Sequence, residues 1–191
     1  MAGQSIDISQ GTAPDMSGYM GFHIGGAVEL PLSDNAKLET GLFYSVRGSK
    51  QEETISNSGI DASYSATTKI SYLDIPVNFK YKFGTGNINV FAKGGGYFGY
   101  ALSGVVDAET SFTIFGQSQS QSLSSDLDFG GGDDEVAPMD YGLALGAGVE
   151  LTKFTVGLTY NFGLADLSNN SDFTTKNRFL MISLGYRIFG S

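Results

Sequence analysis

The chain has 191 residues, a net charge of −9, and 27 Gly, 14 Phe and 10 Tyr against 4 Pro, no Trp and no Cys. The missing cysteine excludes disulfides, thiolate metal centres, a thiol nucleophile and cysteine lipidation. The length suits one domain spanning 1–191, and the glycine and aromatic content favours strands over helices.

The first candidate strand lies around Gln4 to Ser9, where Ile6 and Ile8 alternate with polar residues before the turn cluster Gly11 to Asp15. From Tyr19 to Leu30, Met20, Phe22, Ile24, Val28 and Leu30 share one face, with His23, Gly25 and Glu29 on the other. From Lys37 to Arg47, Leu38, Leu42, Tyr44 and Val46 oppose Glu39 and Arg47. The fourth segment carries the clearest pattern: Leu73, Ile75, Val77, Phe79, Tyr81 and Phe83 against Asp74, Asn78, Lys80 and Lys82. Successive side chains of a strand leave opposite faces, so this segment has one apolar and one charged face. Four more strands follow over Asn87–Leu102, Met139–Leu151, Phe154–Leu164 and Phe179–Ile188, each with an unbroken or nearly unbroken apolar row.

Connections between these strands alternate in length. Pro31–Ala36, Gly84–Gly86 and Thr152 are short, whereas Lys50–Thr68, Ser103–Pro138 and Ala165–Asn177 are long and polar. An up-and-down barrel with turns at one rim, loops at the other and both termini at the turn rim has this alternation. The polar rows collect His23, Glu29, Glu39, Arg47, Asp74, Lys80, Lys82, Lys93, Asp140, Glu150 and Arg187. Such a row fits the paired, side-chain-filled lumen of an eight-stranded membrane barrel and not the dry core of a soluble one. Aromatics near the strand ends suit interfacial girdles. No run reaches the roughly 18–20 apolar residues of a membrane helix, which leaves strand-built membrane proteins open. Met1-Ala2-Gly3 has neither the basic nor the apolar part of a secretory signal, so an exported protein would here be a mature chain with an added start Met.

Charge is segregated. Together with the link after the first strand, which carries Asp15 and is the fourth at the loop rim, the long connections hold 13 of the 20 acidic residues and two bases, Lys50 and Lys176, leaving the remainder at +2. An acidic rim disfavours nucleic acid and suits cations or basic partners. The densest acidic stretch, Asp126, Asp128, Asp133, Asp134 and Glu135 around three glycines, offers oxygen ligands for Ca²⁺, but its spacing is not that of an EF-hand, and a solvated acidic loop is the simpler reading. Gln117–Ser122 is low in complexity. His23, the single histidine, faces inward; Asp140 or Ser103 are conceivable partners for a triad, against the simpler reading of a hydrogen-bonded interior imidazole. Pro76 marks a bulge or a distortion in its strand, and Gly94-Gly95-Gly96 lies inside a strand and not at the strand-to-helix turn of a phosphate loop.

Tyr72-Leu73-Asp74-Ile75-Pro76 resembles the Tyr-Leu-Glu-Ile-Pro signature of the PorT-like outer-membrane β-barrel domain family. Gly21–Gly25, Gly41–Ser45 with Gly48, Tyr160–Leu164, Lys176–Arg178 and Leu184–Arg187 are similar to further segments of that family in the same order. The family ends in Tyr-Arg-Phe where this chain has Tyr186-Arg187-Ile188-Phe189. The resemblance implies an eight-stranded barrel in the outer membrane of a Gram-negative bacterium, in contact with its lipids and lipopolysaccharide, assembled by the barrel-assembly machinery. It implies no cofactor and, for most members, no known activity. The resulting expectation is a monomeric, non-enzymatic surface-binding protein anchored by its barrel; a lipid-modifying enzyme and a narrow solute channel are the alternatives.

Overall fold

Each alternating row becomes one side of an antiparallel strand in the structure, a computed structural model that describes residues 2–8, 16–57, 60–84, 86–114, 117–132, 136–168 and 173–189. Among these residues are ten strands and no helix: β1 (Ala2–Ile8), β2 (Met16–Gly18), β3 (Phe22–Pro31), β4 (Ala36–Asn57), β5 (Ile60–Phe83), β6 (Ile88–Ile114), β7 (Gln117–Asp126), β8 (Met139–Leu151), β9 (Phe154–Gly163) and β10 (Phe173–Tyr186). All pair antiparallel in one sheet, ordered β1-β10-β9-β8-β6-β5-β4, with β3 and the short β2 on the far edge of β4. β1 comes within 8 Å of β2 and β4, Cα to Cα, which brings the two ends of the sheet round to each other. Eight strands, all but β2 and β7, traverse the barrel. The weakest sequence expectation, the first strand, is β1; Ser9 and the Gly11–Asp15 cluster lie outside the described residues.

The apolar rows face outward. Leu145 is 60% exposed and Leu184 77%, and the whole Leu73-to-Phe83 row is exposed as well. In water each such side chain would forgo roughly 1.5–3 kcal/mol of burial, so this surface requires lipid. Leu73 to Phe83 is ten steps of about 3.3 Å which, at a tilt of about 40°, span roughly 25 Å, the height of an outer-membrane apolar band. Aromatic pairs mark the band: Tyr81 with Phe83, 5.0 Å between ring centroids, and Phe154 with Tyr186, 5.2 Å, near the turn rim, and Tyr160 with Phe162, 4.4 Å, further along β9.

At the turn rim the connections are tight. The β5–β6 turn has positive φ at Gly84 (100°) and Gly86 (135°), a conformation that other residues rarely adopt. At the opposite rim the structure corrects the sequence expectation. Lys50–Thr68 is mostly strand, because β4 and β5 continue as a hairpin, and β6 runs on to Ile114 before β7 returns beside it. These strands are 22, 24 and 27 residues long, far beyond the nine to eleven that cross a bilayer. A four-stranded sheet of β4, β5, β6 and β7 therefore projects roughly 40 Å along the strand direction past Ser103. Similarly, β10 begins at Phe173, inside the expected Ala165–Asn177 connection.

Two irregularities shape the sheet. Opposite Pro76 the β4–β5 ladder lapses between Thr40↔Val77 and Phe43↔Asp74, since Pro has no N–H to give. Thr40 Oγ1 donates to the Pro76 carbonyl instead, at 2.8 Å. The bulge itself is elsewhere, at Leu102 on β6, where the partners step from Tyr72↔Ala101 to Ser71↔Ser103.

Candidate functional site

The lumen is filled by paired charges in layers. Near the turn rim Lys80, buried, bridges Glu29 (2.5 Å) and Glu150 (2.9 Å), while Lys37 also reaches Glu29. Arg187 pairs with Glu150, Lys82 lies 3.8 Å from the same carboxylate, and the Lys80 ammonium stands 4.3 Å from the Phe91 ring centroid. One layer up, Lys93 pairs with Glu39 at 2.7 Å. His23 Nε2 lies 3.0 Å from Ser183 Oγ, joining β3 to β10 across the lumen. Asn78 Oδ1, Thr159 Oγ1 and Asn161 Nδ2, all buried, have no partner among the described residues. They line a cavity of about 70 Å³ with His23, Glu39 and Lys93, room for about two water molecules.

The third layer is the most buried and centres on Arg47. Arg47 of β4 is 4% exposed and holds Asp74 of β5 with one nitrogen and Asp140 of β8 with the other, the latter at 2.6 Å. Its guanidinium is stacked against Tyr72 and Phe179, 4.4 and 4.3 Å from the ring centroids. The carboxylates take further donors: Ser45 Oγ to Asp74 at 2.5 Å, and Asn177 Nδ2 (2.8 Å) and Tyr97 O–H (3.3 Å) to Asp140. Above this layer Leu127, Phe129 and Val136 pack onto Ile70, Tyr72 and Ala101 as a hydrophobic plug. A Cβ on Gly104 would come within 2.9 Å of both Leu127 and Phe129, so the plug requires that bare backbone.

Glu29, Glu39, Arg47, Asp74, Lys80, Lys82, Lys93, Asp140, Glu150 and Arg187 all take part in the ion pairs above, a pairing that the alternation did not make readable. Ser45, Tyr97, Asn177, Phe179 and Ser183 are the residues that sequence reasoning missed; the parity of their strands was the available signal. The conceivable triad is corrected: Asp140 is committed to Arg47, and Ser103 lies outward at the base of the projecting sheet. His23 meets Ser183 instead, both half-buried.

On the projecting sheet Asp107 accepts from Lys69 Nζ (2.8 Å) and Ser124 Oγ (2.7 Å). The bond from Lys69, then that from Ser124, holds the Asp107 carboxyl below its ordinary value, and Asp107 in turn raises Lys69. Asp126 ends β7 and does not sit in a loose loop; Asp128 is exposed beyond it, and Asp133, Asp134 and Glu135 lie outside the described residues. Among the described residues no three His, Asp or Glu converge as a metal site.

An antiparallel eight-stranded barrel with an apolar outer band, a polar lumen and short turns at one rim defines the outer-membrane β-barrel class. The sequence bears this out: the chain belongs to the outer membrane protein beta-barrel domain family, whose profile matches residues 4–169. The protein is accordingly an outer-membrane protein. No curated protein matches the chain. Among solved structures it is similar to Ail, the attachment invasion locus protein of Yersinia pestis, in complex with the heparin analogue sucrose octasulfate, at 17% identity and a TM-score of 0.25 over 97% of this chain and 96% of that one. A second crystal structure of Ail gives 16% identity and a TM-score of 0.20 over the same shares.

Proposed function

We propose that this protein is a non-enzymatic binding protein of the bacterial surface, the barrel serving as anchor and the projecting β4–β7 sheet as the contact surface. In this reading the hairpin rim is extracellular and the turn rim periplasmic. The carrying observation is the contrast between a lumen crossed by Arg47, its two carboxylates and the plug, and a sheet that continues roughly 40 Å along the strand direction beyond the lipid band. That sheet carries Glu52, Glu53, Asp61, Asp107, Glu109 and Asp126 against Lys50 and Lys69, so cationic partners fit it and polyanions do not. Within the family we assign the chain to the PorT-like members on Tyr72–Pro76 and its companion segments. Lipopolysaccharide and outer-membrane lipid would surround the band, and the barrel-assembly machinery would insert it.

The two alternatives have less support. A lipid-modifying enzyme needs its His and Ser at the lipid boundary, whereas His23 and Ser183 face a cavity of about 70 Å³, too small for an acyl chain. A channel needs an open bore. The deciding experiment captures partners with the folded barrel and with a variant whose Ser103–Pro138 segment is cut back to a short turn. Loss of specific partners is expected; identical partner lists would refute the reading, as would acyl hydrolysis or stable single-channel conductance by the refolded protein.

A further inference from the structure

β7 has a partner on one side only. It pairs with β6, and among the described residues nothing hydrogen-bonds its other edge; all ten of its residues are exposed. The direction in which its backbone groups point follows from one bond. Leu127 N–H donates to the Gly104 carbonyl at 2.9 Å, and the register Val105↔Asp126 places those two residues directly opposite each other. Opposed residues of an antiparallel ladder alternate between bonded and non-bonded pairs. Gln117, Gln119, Gln121, Leu123 and Ser125 therefore bond to β6, and Ser118, Ser120, Ser122 and Ser124 turn N–H and C=O to the free edge. This edge has no proline, no lysine and no bulge, the devices that normally block strand addition.

The two faces beside the edge differ. Ser122 and Ser124 share a face with Asp107 and Glu109 of β6, and these four line a concavity of about 410 Å³ with Ser65 and Thr67. Asp126 closes the same face at the strand end, and neither it nor Glu109 has a cationic partner among the described residues. On the opposite face Leu123 is 69% exposed, with Phe112 exposed on β6. We propose that the free edge of β7 takes up an extended basic peptide segment of another protein as an added strand. Alternate cationic side chains of the segment lie over Asp107 and Glu109, and its apolar ones beside Leu123. A second copy of this chain fits less well, since two acidic rims would repel. The inference rests on the surface-binding reading and names the partner's chemistry.

The test uses the refolded full chain in detergent and a fluorescent twelve-residue peptide alternating Lys and Val, with a Glu and Val peptide as control. Anisotropy should show binding of the lysine peptide alone, weakening with salt. Ser122→Pro removes one edge donor and no bond to β6, and should weaken binding about tenfold. Ser122→Lys, which tethers an ammonium over the carboxylates, should weaken it similarly. Unchanged heat-modifiable gel migration verifies folding of both. Equal binding by wild type and both variants would overturn strand addition while leaving the acidic surface as a binding site; no binding to wild type, or equal binding of the glutamate peptide, would overturn the inference outright. Self-association abolished by Ser122→Pro would assign the edge to a second copy and overturn it too.

Discussion

Replacing Arg47 with leucine tests the lumen most directly. The guanidinium is almost wholly buried and binds two carboxylates, one of which, Asp140, is fully buried. Removing one side of a buried charge network costs about 3–5 kcal/mol, because the remaining charges stay desolvated. Loss of the stacking on Tyr72 and Phe179 adds about 1 kcal/mol, while the donors Ser45, Asn177 and Tyr97 keep part of the carboxylate hydration replaced. The expected destabilisation is therefore about 5 kcal/mol. Equilibrium urea unfolding in lipid vesicles, followed by gel migration, measures it. The combined variant Arg47→Leu, Asp74→Asn, Asp140→Asn should recover most of the loss, as it leaves no uncompensated charge in the layer. If Arg47→Leu alone unfolds within about 1 kcal/mol of wild type, the layer is hydrated and the account of a buried charge network is wrong.

Further outcomes follow from other parts of the molecule. Leu145→Arg, at the centre of the outward β8 row, should cost about 2–4 kcal/mol for refolding into bilayers, and a cost near zero would place that row away from lipid. The pair Leu127→Ser and Phe129→Ser should release the plug, seen as faster proteolysis between β7 and β8 with the barrel melting temperature nearly kept; unchanged cleavage would show that these side chains do not hold the segment. Asp107 should titrate below 3.8 by NMR at low salt. Its lowered value means that the tie to Lys69 contributes stability above 3.8 and is lost as pH falls through the folded-state value, so titration at or above 3.8 would contradict the bond.

Where one face is apolar throughout, as from Leu73 to Phe83, period-two alternation is visible in the sequence and so is the strand's inside. The same reasoning stops at Ser103. Residues such as Ser63, Ser65, Ser111 and Ser122 belong to strands wetted on both faces, so hydropathy has no period to display and the projecting sheet reads as loop. Parity also puts Arg47, Asp74 and Asp140 inward without saying that they meet, because the meeting depends on barrel register across three strand pairs. The plug was hidden for another reason: Leu127 and Phe129 stand in an acidic, glycine-rich stretch, and their seat at Gly104 depends on the one-residue bulge at Leu102.

Arg47 and Asp140 are 93 residues apart in sequence, and this separation bears on how the barrel enters the membrane. An insertion intermediate holding β4 and β5 but lacking β8 would carry into hydrocarbon a guanidinium whose second counter-charge has not arrived. The desolvation cost falls on the partial barrel and disappears when β8 docks, so the first half of the chain gains little by inserting alone. The expected consequence is an assembly weighted toward a late step in which both halves enter together. A chain truncated after β6 that inserted as stably as the full barrel would contradict it.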